Sequence, residues 1–224
     1  DGGFRTLQQV IGQKMLGRIV EFELHYDRYR NFIQQGSWKE QADEGSGILY
    51  NLGSHMLDQV LLLFGKPSWV NAILGIQRTG GKVTDYYDIR LGYEGLNVIV
   101  KSSYLVREAG PMYRLNGTEG SFVKFGIDPQ EEALKAGGVP GSPGWGTEGR
   151  EWWGRINTSM NGLHIEGQVE TLPGNYLGFY DELFSAIRAG KSTPVNPQES
   201  RNVIALIVNC IQSDREKKAI RIDW

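Results

Sequence analysis

The stretch GSGILYNLGSHMLDQV, residues 45–60, begins with two glycines and continues with mixed apolar and polar side chains. Two such glycines could form the phosphate-binding turn of a dinucleotide site. That fingerprint needs a third glycine at position 50 and an apolar strand before the first glycine. Tyr50 stands at that position, and the residues before Gly45 are KEQADE. The stretch therefore does not fit a phosphate-binding loop.

Residues 47–64 instead have the spacing of an amphipathic helix that ends at Gly65. At about 100° per residue, Asn51 and His55 point in the same direction. An amide and an imidazole side by side can hold neighbouring hydroxyls of a polyol, and the imidazole can transfer a proton. Spacing alone favours the alternative, a solvated helix face. The polar sector comprises Asn51, Ser54, His55 and Asp58, and the apolar sector comprises Leu52, Met56, Val60 and Leu63.

Two other groups of side chains are candidates for ligand contacts. Arg28 and Arg30 follow a predicted strand at 19–26, and guanidinium groups at a strand end suit hydroxyl or carboxylate oxygens. A surface ion-pair patch explains the same cluster equally well. Trp153 belongs to a group of tryptophans in residues 126–175. Indoles stack on sugar faces, but they also anchor long loops, and anchoring is the favoured interpretation here.

The remaining pattern predicts one α+β domain: a large, mainly antiparallel, open-faced sheet with helices on one face. Short runs rich in β-branched and aromatic residues, separated by turn signals, fill residues 69–125. Connections this short require mostly antiparallel pairing. Residues 126–175 are predicted as one long functional loop. The predicted helices occupy residues 4–16 (ending at Gly17), 47–64, 176–190 and the segment that begins at Asn196.

Composition excludes several classes of function. A net charge of −2 and a pI near 6.0 indicate no basic surface for nucleic acid or an anionic membrane. The single cysteine, Cys210, rules out an internal disulfide framework and fits a reducing compartment, so we expect a cytoplasmic protein. His25, His55 and His164 are far apart in the sequence, so no metal site is predicted.

Four segments together resemble the glucose–fructose oxidoreductase / inositol dehydrogenase / rhizopine-catabolism (Gfo/Idh/MocA) family. GSGILYNLGSHMLDQ is similar to the family's helix signature G-G-G-x-L-x-D-x-G-x-H-x-x-D. LGRIVEFELHYDRYR resembles its first sheet strand, LNGTEGSFVKFGIDPQEEAL its hairpin and following turn, and FYDELFSAIRAGKSTPVNPQES its closing helices. The resemblance covers nearly the whole chain, but only the second half of the family's sequence.

The resemblance implies a fold like the C-terminal domain of glyceraldehyde-3-phosphate dehydrogenase. Residues 1–224 would form one substrate-binding and oligomerisation domain, with residues 1–17 as the tail of a preceding dinucleotide-binding domain. The family's Rossmann domain, with its glycine loop and Glu-Lys-Pro motif, is absent from this sequence, which starts without methionine as if cut from something longer. NAD or NADP would be held mainly by that domain, with no cofactor-binding residue here.

The implied activity is hydride transfer between a sugar or polyol hydroxyl carbon and the nicotinamide. By resemblance His55 matches the histidine that assists proton transfer, and Asn51, Arg28, Arg30 and Trp153 would contact substrate. Asn51 stands where the family often has aspartate, which puts a carboxylate-assisted relay in doubt, since an amide cannot accept a proton. The chain alone is expected to be inactive. The alternative is a non-catalytic module that binds a sugar or pairs subunits.

The predicted sheet also indicates self-association. Residues 83–104 carry apolar or aromatic side chains at both alternating positions, so a sheet with helices on one face would leave some of them exposed. Family resemblance points the same way. We therefore expect a homodimer or homotetramer that pairs through the sheet face.

Overall fold

The computed structural model describes residues 1–224, and nine strands form its sheet. Strand order across the sheet is β8-β7-β6-β5-β1-β4-β3-β2-β9. Strands β1 and β4 pair in parallel, whereas the pairs β2–β3, β2–β9, β3–β4, β6–β7 and β7–β8 are antiparallel, which confirms the predicted mainly antiparallel sheet. The strands are β1 (Ile19–His25), β2 (Trp69–Gly75), β3 (Tyr86–Tyr93), β4 (Leu96–Ser103), β5 (Tyr113–Gly117), β6 (Gly120–Lys124), β7 (Gly154–Met160), β8 (Leu163–Val169) and β9 (Ile220–Arg221).

Five α-helices accompany the sheet. They are α1 (Gly2–Gly12), α2 (Ser54–Phe64), α3 (Gln130–Lys135), α4 (Tyr176–Ala189) and α5 (Pro197–Glu216). By its contacts the chain divides into two compact units. The first unit contains residues 1–19 and 116–198, and the second contains residues 20–115 and 199–224. None of the helices has both the length and the apolar character needed to cross a membrane.

In the second unit, α2 and α5 cover one face of the sheet. The Tyr87 hydroxyl on β3 lies 2.8 Å from the Met56 sulfur on α2. Ala72 N on β2 donates to the Ser213 hydroxyl on α5 at 3.0 Å. The side chains of this face are fully or almost fully buried, because each strand turns every second residue toward the helices. They include Phe22 and Leu24, Val70 and Ala72, Tyr87, Ile89 and Leu91, and Val98 and Val100.

The opposite face of the same strands is open. One row across it joins Glu23, Ile99, Arg90 and Asn71, as the strand registers show. Ile73 on β2 is 56% exposed there. The sheet is therefore open-faced in this unit, with apolar side chains uncovered among charged ones.

The helix predicted at 47–64 has two parts. Leu49–Gly53 forms a π-helical turn, and α2 follows directly from Ser54. The Ser54 hydroxyl donates to the Tyr50 carbonyl at 2.6 Å, which gives that carbonyl a side-chain donor at the junction. Apolar spacing predicted the helix correctly, but it does not distinguish a π turn from an α turn.

The prediction of one loop over 126–175 is wrong. Helix α3 lies in its first part, and a hairpin of β7 and β8 fills its second part. At the hairpin tip Asn161 and Gly162 have φ of 53° and 79°, as the tightest two-residue turns require. The Asn-Gly pair was a usable signal. The strands were missed because six of the seven residues of β8 are exposed, so no apolar alternation marks it.

The other helix predictions hold with shifted ends. Helix α1 occupies Gly2–Gly12, where 4–16 ending at Gly17 was predicted, because the Asp1 carboxylate caps it by accepting from Phe4 N at 2.8 Å. Helix α4 ends at Gly190 in the left-handed conformation, as predicted. The cap predicted at Asn196 is also present: its side-chain oxygen accepts from Gln198 N at 2.9 Å.

In the first unit, buried polar contacts anchor the segment between β6 and β7. Trp145 donates its indole N–H to the Gln130 side-chain oxygen at 2.8 Å, and Gln130 is completely buried. Lys124 on β6 donates to Glu148 at 2.6 Å and to the Trp152 carbonyl at 2.9 Å. Anchoring is therefore the role of Trp145.

Gly47 precedes the π turn in a conformation that a side chain would disturb. Gly45 and Gly47 have φ of +87° and +85°, so alanine at either costs roughly 1–2 kcal/mol of backbone strain. A Cβ at Gly47 would lie 2.8 Å from the Thr84 carbonyl oxygen, whereas one at Gly45 meets nothing within 4 Å.

We expect Gly47→Ala to lower the free energy of unfolding by at least about 1 kcal/mol more than Gly45→Ala, because only the former overpacks its surroundings. Urea unfolding of both variants measures the difference. Equal losses would show that the Thr84 carbonyl does not constrain this turn.

Candidate functional site

Asn51 and His55 share one side of the helical segment between Gly47 and β2. Asn51 lies in the π turn and is half-buried, while His55 is exposed one turn later, in the first turn of α2. On the other side of α2, Met56, Leu57 and Val60 are almost completely buried. Burial of that flank fixes the orientation of the helix, so Asn51 and His55 are held on its accessible side.

Asp58 lies near His55 on the accessible side. Loss of surrounding water raises the pKa of the Asp58 carboxyl, and the negative charge of Glu199 on α5 raises it further, while His55 acts in the opposite direction. Glu199 therefore lies within electrostatic reach of α2. An imidazole beside a carboxylate is an arrangement that can hold and pass on a proton.

The amides at the start of this helical segment are already bonded within the chain. Gly47 N donates to the Lys39 carbonyl at 3.3 Å, and Ile48 N donates to the Thr84 carbonyl at 2.7 Å. Asn51 N donates to the Gly47 carbonyl at 3.1 Å. A pyrophosphate site needs unpaired amides at a helix start. Residues 45–51 therefore do not fit the pyrophosphate of a dinucleotide.

Arg28 and Arg30 lie along an extension of β1. Their amides donate to the carbonyls of Ser103 and Tyr104, at 2.9 and 2.8 Å, and Tyr29 between them forms an antiparallel bridge with Leu105. The Arg28 guanidinium stacks on the Tyr26 ring at 4.8 Å and donates to its hydroxyl at 3.0 Å. Arg30 lies 5.9 Å from the Tyr104 ring. Aromatic rings thus orient both guanidinium groups.

Trp153 belongs to the first unit, whereas the other four predicted site residues belong to the second. It is half-buried directly before β7, and the Arg150 guanidinium lies 5.8 Å from its ring. The structure thus brings Asn51 and His55 together on one helical segment, and Arg28 and Arg30 together along one strand extension.

The segment at residues 32–40 was not singled out from the sequence, although it contacts the start of the site helix through Lys39. The buried Arg78 side chain fixes it, by donating to the Phe32 carbonyl and to Glu40. No local pattern connects residue 78 with residue 40. Residues 32–40 show no hydrophobic periodicity, so the sequence gives no indication of their contact with Arg78.

Comparison with known proteins identifies the family. A family model described as "Oxidoreductase family, C-terminal alpha/beta domain" (Gfo/Idh/MocA) matches residues 8–222. The chain is 36% identical over 226 residues to scyllo-inositol 2-dehydrogenase (NADP(+)) IolW of Bacillus subtilis, covering 100% of this chain and 62% of that protein.

Solved structures of similar proteins support the same family assignment. A Bacteroides fragilis protein has 41% identity and a TM-score of 0.89 over 99% of this chain and 63% of its own. An oxidoreductase from Bacillus cereus has 33% identity and a TM-score of 0.88 over 100% of this chain and 65% of its own. The chain thus spans slightly less than two thirds of the length of these relatives.

The family model and the fold agree with the resemblance carried by the Gly45–Gln59 motif. The chain belongs to the Gfo/Idh/MocA oxidoreductase family, as its C-terminal α/β domain.

Proposed function

We propose that this chain is the substrate-binding and oligomerisation domain of an NAD(P)-dependent oxidoreductase acting on a sugar or polyol. One observation carries the proposal: Asn51 and His55 lie one turn apart on the accessible side of a helix whose other side is buried. The similarity to IolW, whose name specifies scyllo-inositol and NADP(+), supports a polyol substrate.

The side chains divide the work by their chemistry. His55 exchanges a proton with the reacting hydroxyl, and the Asn51 amide orients a neighbouring hydroxyl without accepting its proton. Arg28, Arg30 and Trp153 are proposed as further substrate contacts, since guanidinium forks bind oxygens and an indole stacks on a sugar ring. His55 acts on the pKa of the Asp58 carboxyl in the lowering direction, against the rise that loss of surrounding water and Glu199 cause.

NAD or NADP supplies the hydride chemistry when bound. A dinucleotide-binding domain outside residues 1–224 is proposed to hold it, with residues 1–17 as the connection, because the amides at Gly47 and Ile48 are already bonded within the chain. On this proposal the chain is inactive alone. The open sheet face favours the second candidate role, subunit pairing, which is compatible with the first.

His55→Ala in the full-length oxidoreductase should lower kcat by about 10²-fold or more, the usual contribution of a positioned acid or base. The free energy of unfolding should change little, because His55 is exposed. His164→Ala is the matched control: His164 is also exposed, on β8 in the other unit. Steady-state kinetics with inositols and sugars measures the effect. Full activity of His55→Ala on every substrate of the parent would refute the assignment.

Asn51→Asp distinguishes a substrate contact from a solvated position. If the amide only orients a hydroxyl, the carboxylate usual in the family should preserve activity. Because a second titrating group enters the site, the pH profile of kcat/KM should gain an inflection or shift its optimum. The measurement is that profile for parent and variant. No change in either activity or pH dependence would place residue 51 outside the site.

Self-association through the open face should respond to a charge placed at Ile73. We propose that the chain forms at least a symmetric dimer, since exposed apolar side chains on a sheet face mark an interface. Ile73→Lys should shift the dimer to monomer in light scattering at high micromolar concentration. Leu62→Lys is the control, because Leu62 is 61% exposed on α2, the helix that packs on the other face of the sheet. A monomeric parent chain would contradict the proposal.

A further inference from the structure

A buried ion-pair network lies within the second unit. Arg78 is 4% exposed, and its guanidinium contacts two carboxylates. Its Nε donates to Asp85 at 3.0 Å, and its two terminal nitrogens donate to the two oxygens of Glu40 at 3.0 and 2.7 Å. Another bond runs from Nη1 to the Phe32 carbonyl at 2.7 Å. Tyr104 covers the guanidinium, with its ring centre 4.7 Å away.

Every charged group of this network has partners. Asp85 is 1% exposed and also accepts from the amides of Gln77 and Arg78, at 2.6 and 3.0 Å. Removing charges from water is costly, so a buried network of this kind adds little net stability. The rigid fork of the guanidinium sets the distance between the two carboxylates it contacts, which a flexible lysine ammonium would not do.

The two carboxylates flank the start of the site helix. Glu40 follows Lys39, whose carbonyl accepts from Gly47 N at 3.3 Å. Asp85 follows Thr84, whose carbonyl accepts from Ile48 N at 2.7 Å. The Lys39 and Thr84 carbonyls thus accept from two consecutive amides of the helical segment. In each case Arg78 binds the carboxylate of the next residue in the chain.

The geometry points to Arg78 as a positioning residue for the site: by bridging Glu40 and Asp85 it fixes the two carbonyls that hold Gly47 and Ile48. The consequence reaches the site through the backbone, because Asn51 N donates to the Gly47 carbonyl at 3.1 Å and His55 follows one turn later. Arg78 does not touch substrate in this role. The inference rests on the proposed function for its catalytic part, whereas its structural part stands alone.

Glu40→Gln in the full-length oxidoreductase tests the structural part. The amide keeps the shape of the side chain but removes one charge from the network. We expect amide hydrogen exchange at Gly47 and Ile48 to accelerate by about tenfold or more, as in a local opening, while Leu57 and Val60 in α2 keep their rates. Unchanged rates at Gly47 and Ile48, or a uniform acceleration through α2, would overturn the inference.

Glu148→Gln provides the matched control. Glu148 also forms a buried pair, with Lys124 at 2.6 Å, in the other unit of the chain. Its substitution also removes one charge from a buried pair. We expect it to leave exchange at Gly47 and Ile48 unchanged, so an acceleration there would show that any buried charge loss has this effect and would overturn the inference.

Arg78→Lys in the full-length oxidoreductase tests the catalytic part, because it keeps the charge and loses the fork. We expect kcat/KM for the polyol to fall about tenfold or more, chiefly through kcat, since small displacements of catalytic groups are costly. If Arg78→Lys does not fold, Glu40→Gln should reproduce the loss. An unchanged kcat/KM in the folded network variants would overturn the inference. Amide hydrogen exchange does not depend on catalytic activity, so it tests the role of Arg78 even if the proposed function is wrong. His55→Ala tests the proposed function separately.

Discussion

Two consecutive hydrogen bonds determine where the helical segment of the site begins: Gly47 N to the Lys39 carbonyl and Ile48 N to the Thr84 carbonyl. Beyond these bonds, burial of Met56 and Val60 against the sheet fixes one side of α2. A helix held by specific bonds at its start and by apolar packing along one side has no freedom to rotate about its axis. The direction in which His55 points is therefore a consequence of contacts that His55 does not make.

Apolar periodicity predicted the elements that bury a face. Strand β1 was predicted because Phe22 and Leu24 are buried at alternating positions. Helix α5 was predicted because its buried residues, such as Leu206 and Ile207, follow helical spacing. The β7–β8 hairpin was missed because the pattern depends on burial, and β8 is almost entirely exposed. Its one local signal was the Asn161-Gly162 turn, which requires positive φ at both residues.

The candidate site could be predicted only in part for a related reason. Asn51 and His55 lie within one helix, so their spacing alone placed them on the same side. Between Glu40 and Arg78 the chain contains the π turn, helix α2 and the whole of strand β2, so the contact between them depends on tertiary structure. Nothing in the sequence around Arg78 distinguishes a buried guanidinium from the exposed ones that are more common.

The π turn also affects the geometry of the site. In an α-helix of 3.6 residues per turn, two residues four positions apart overshoot a full turn. A π turn closes its hydrogen bonds over one more residue, so it takes up more residues per turn and reduces that overshoot. Leu49–Gly53 is such a turn, and it contains Asn51 but not His55. A four-residue separation that includes part of such a turn is therefore expected to be closer to one full turn than the same separation in a regular α-helix. Single π turns inside α-helices are frequent at functional sites, and here one contains Asn51.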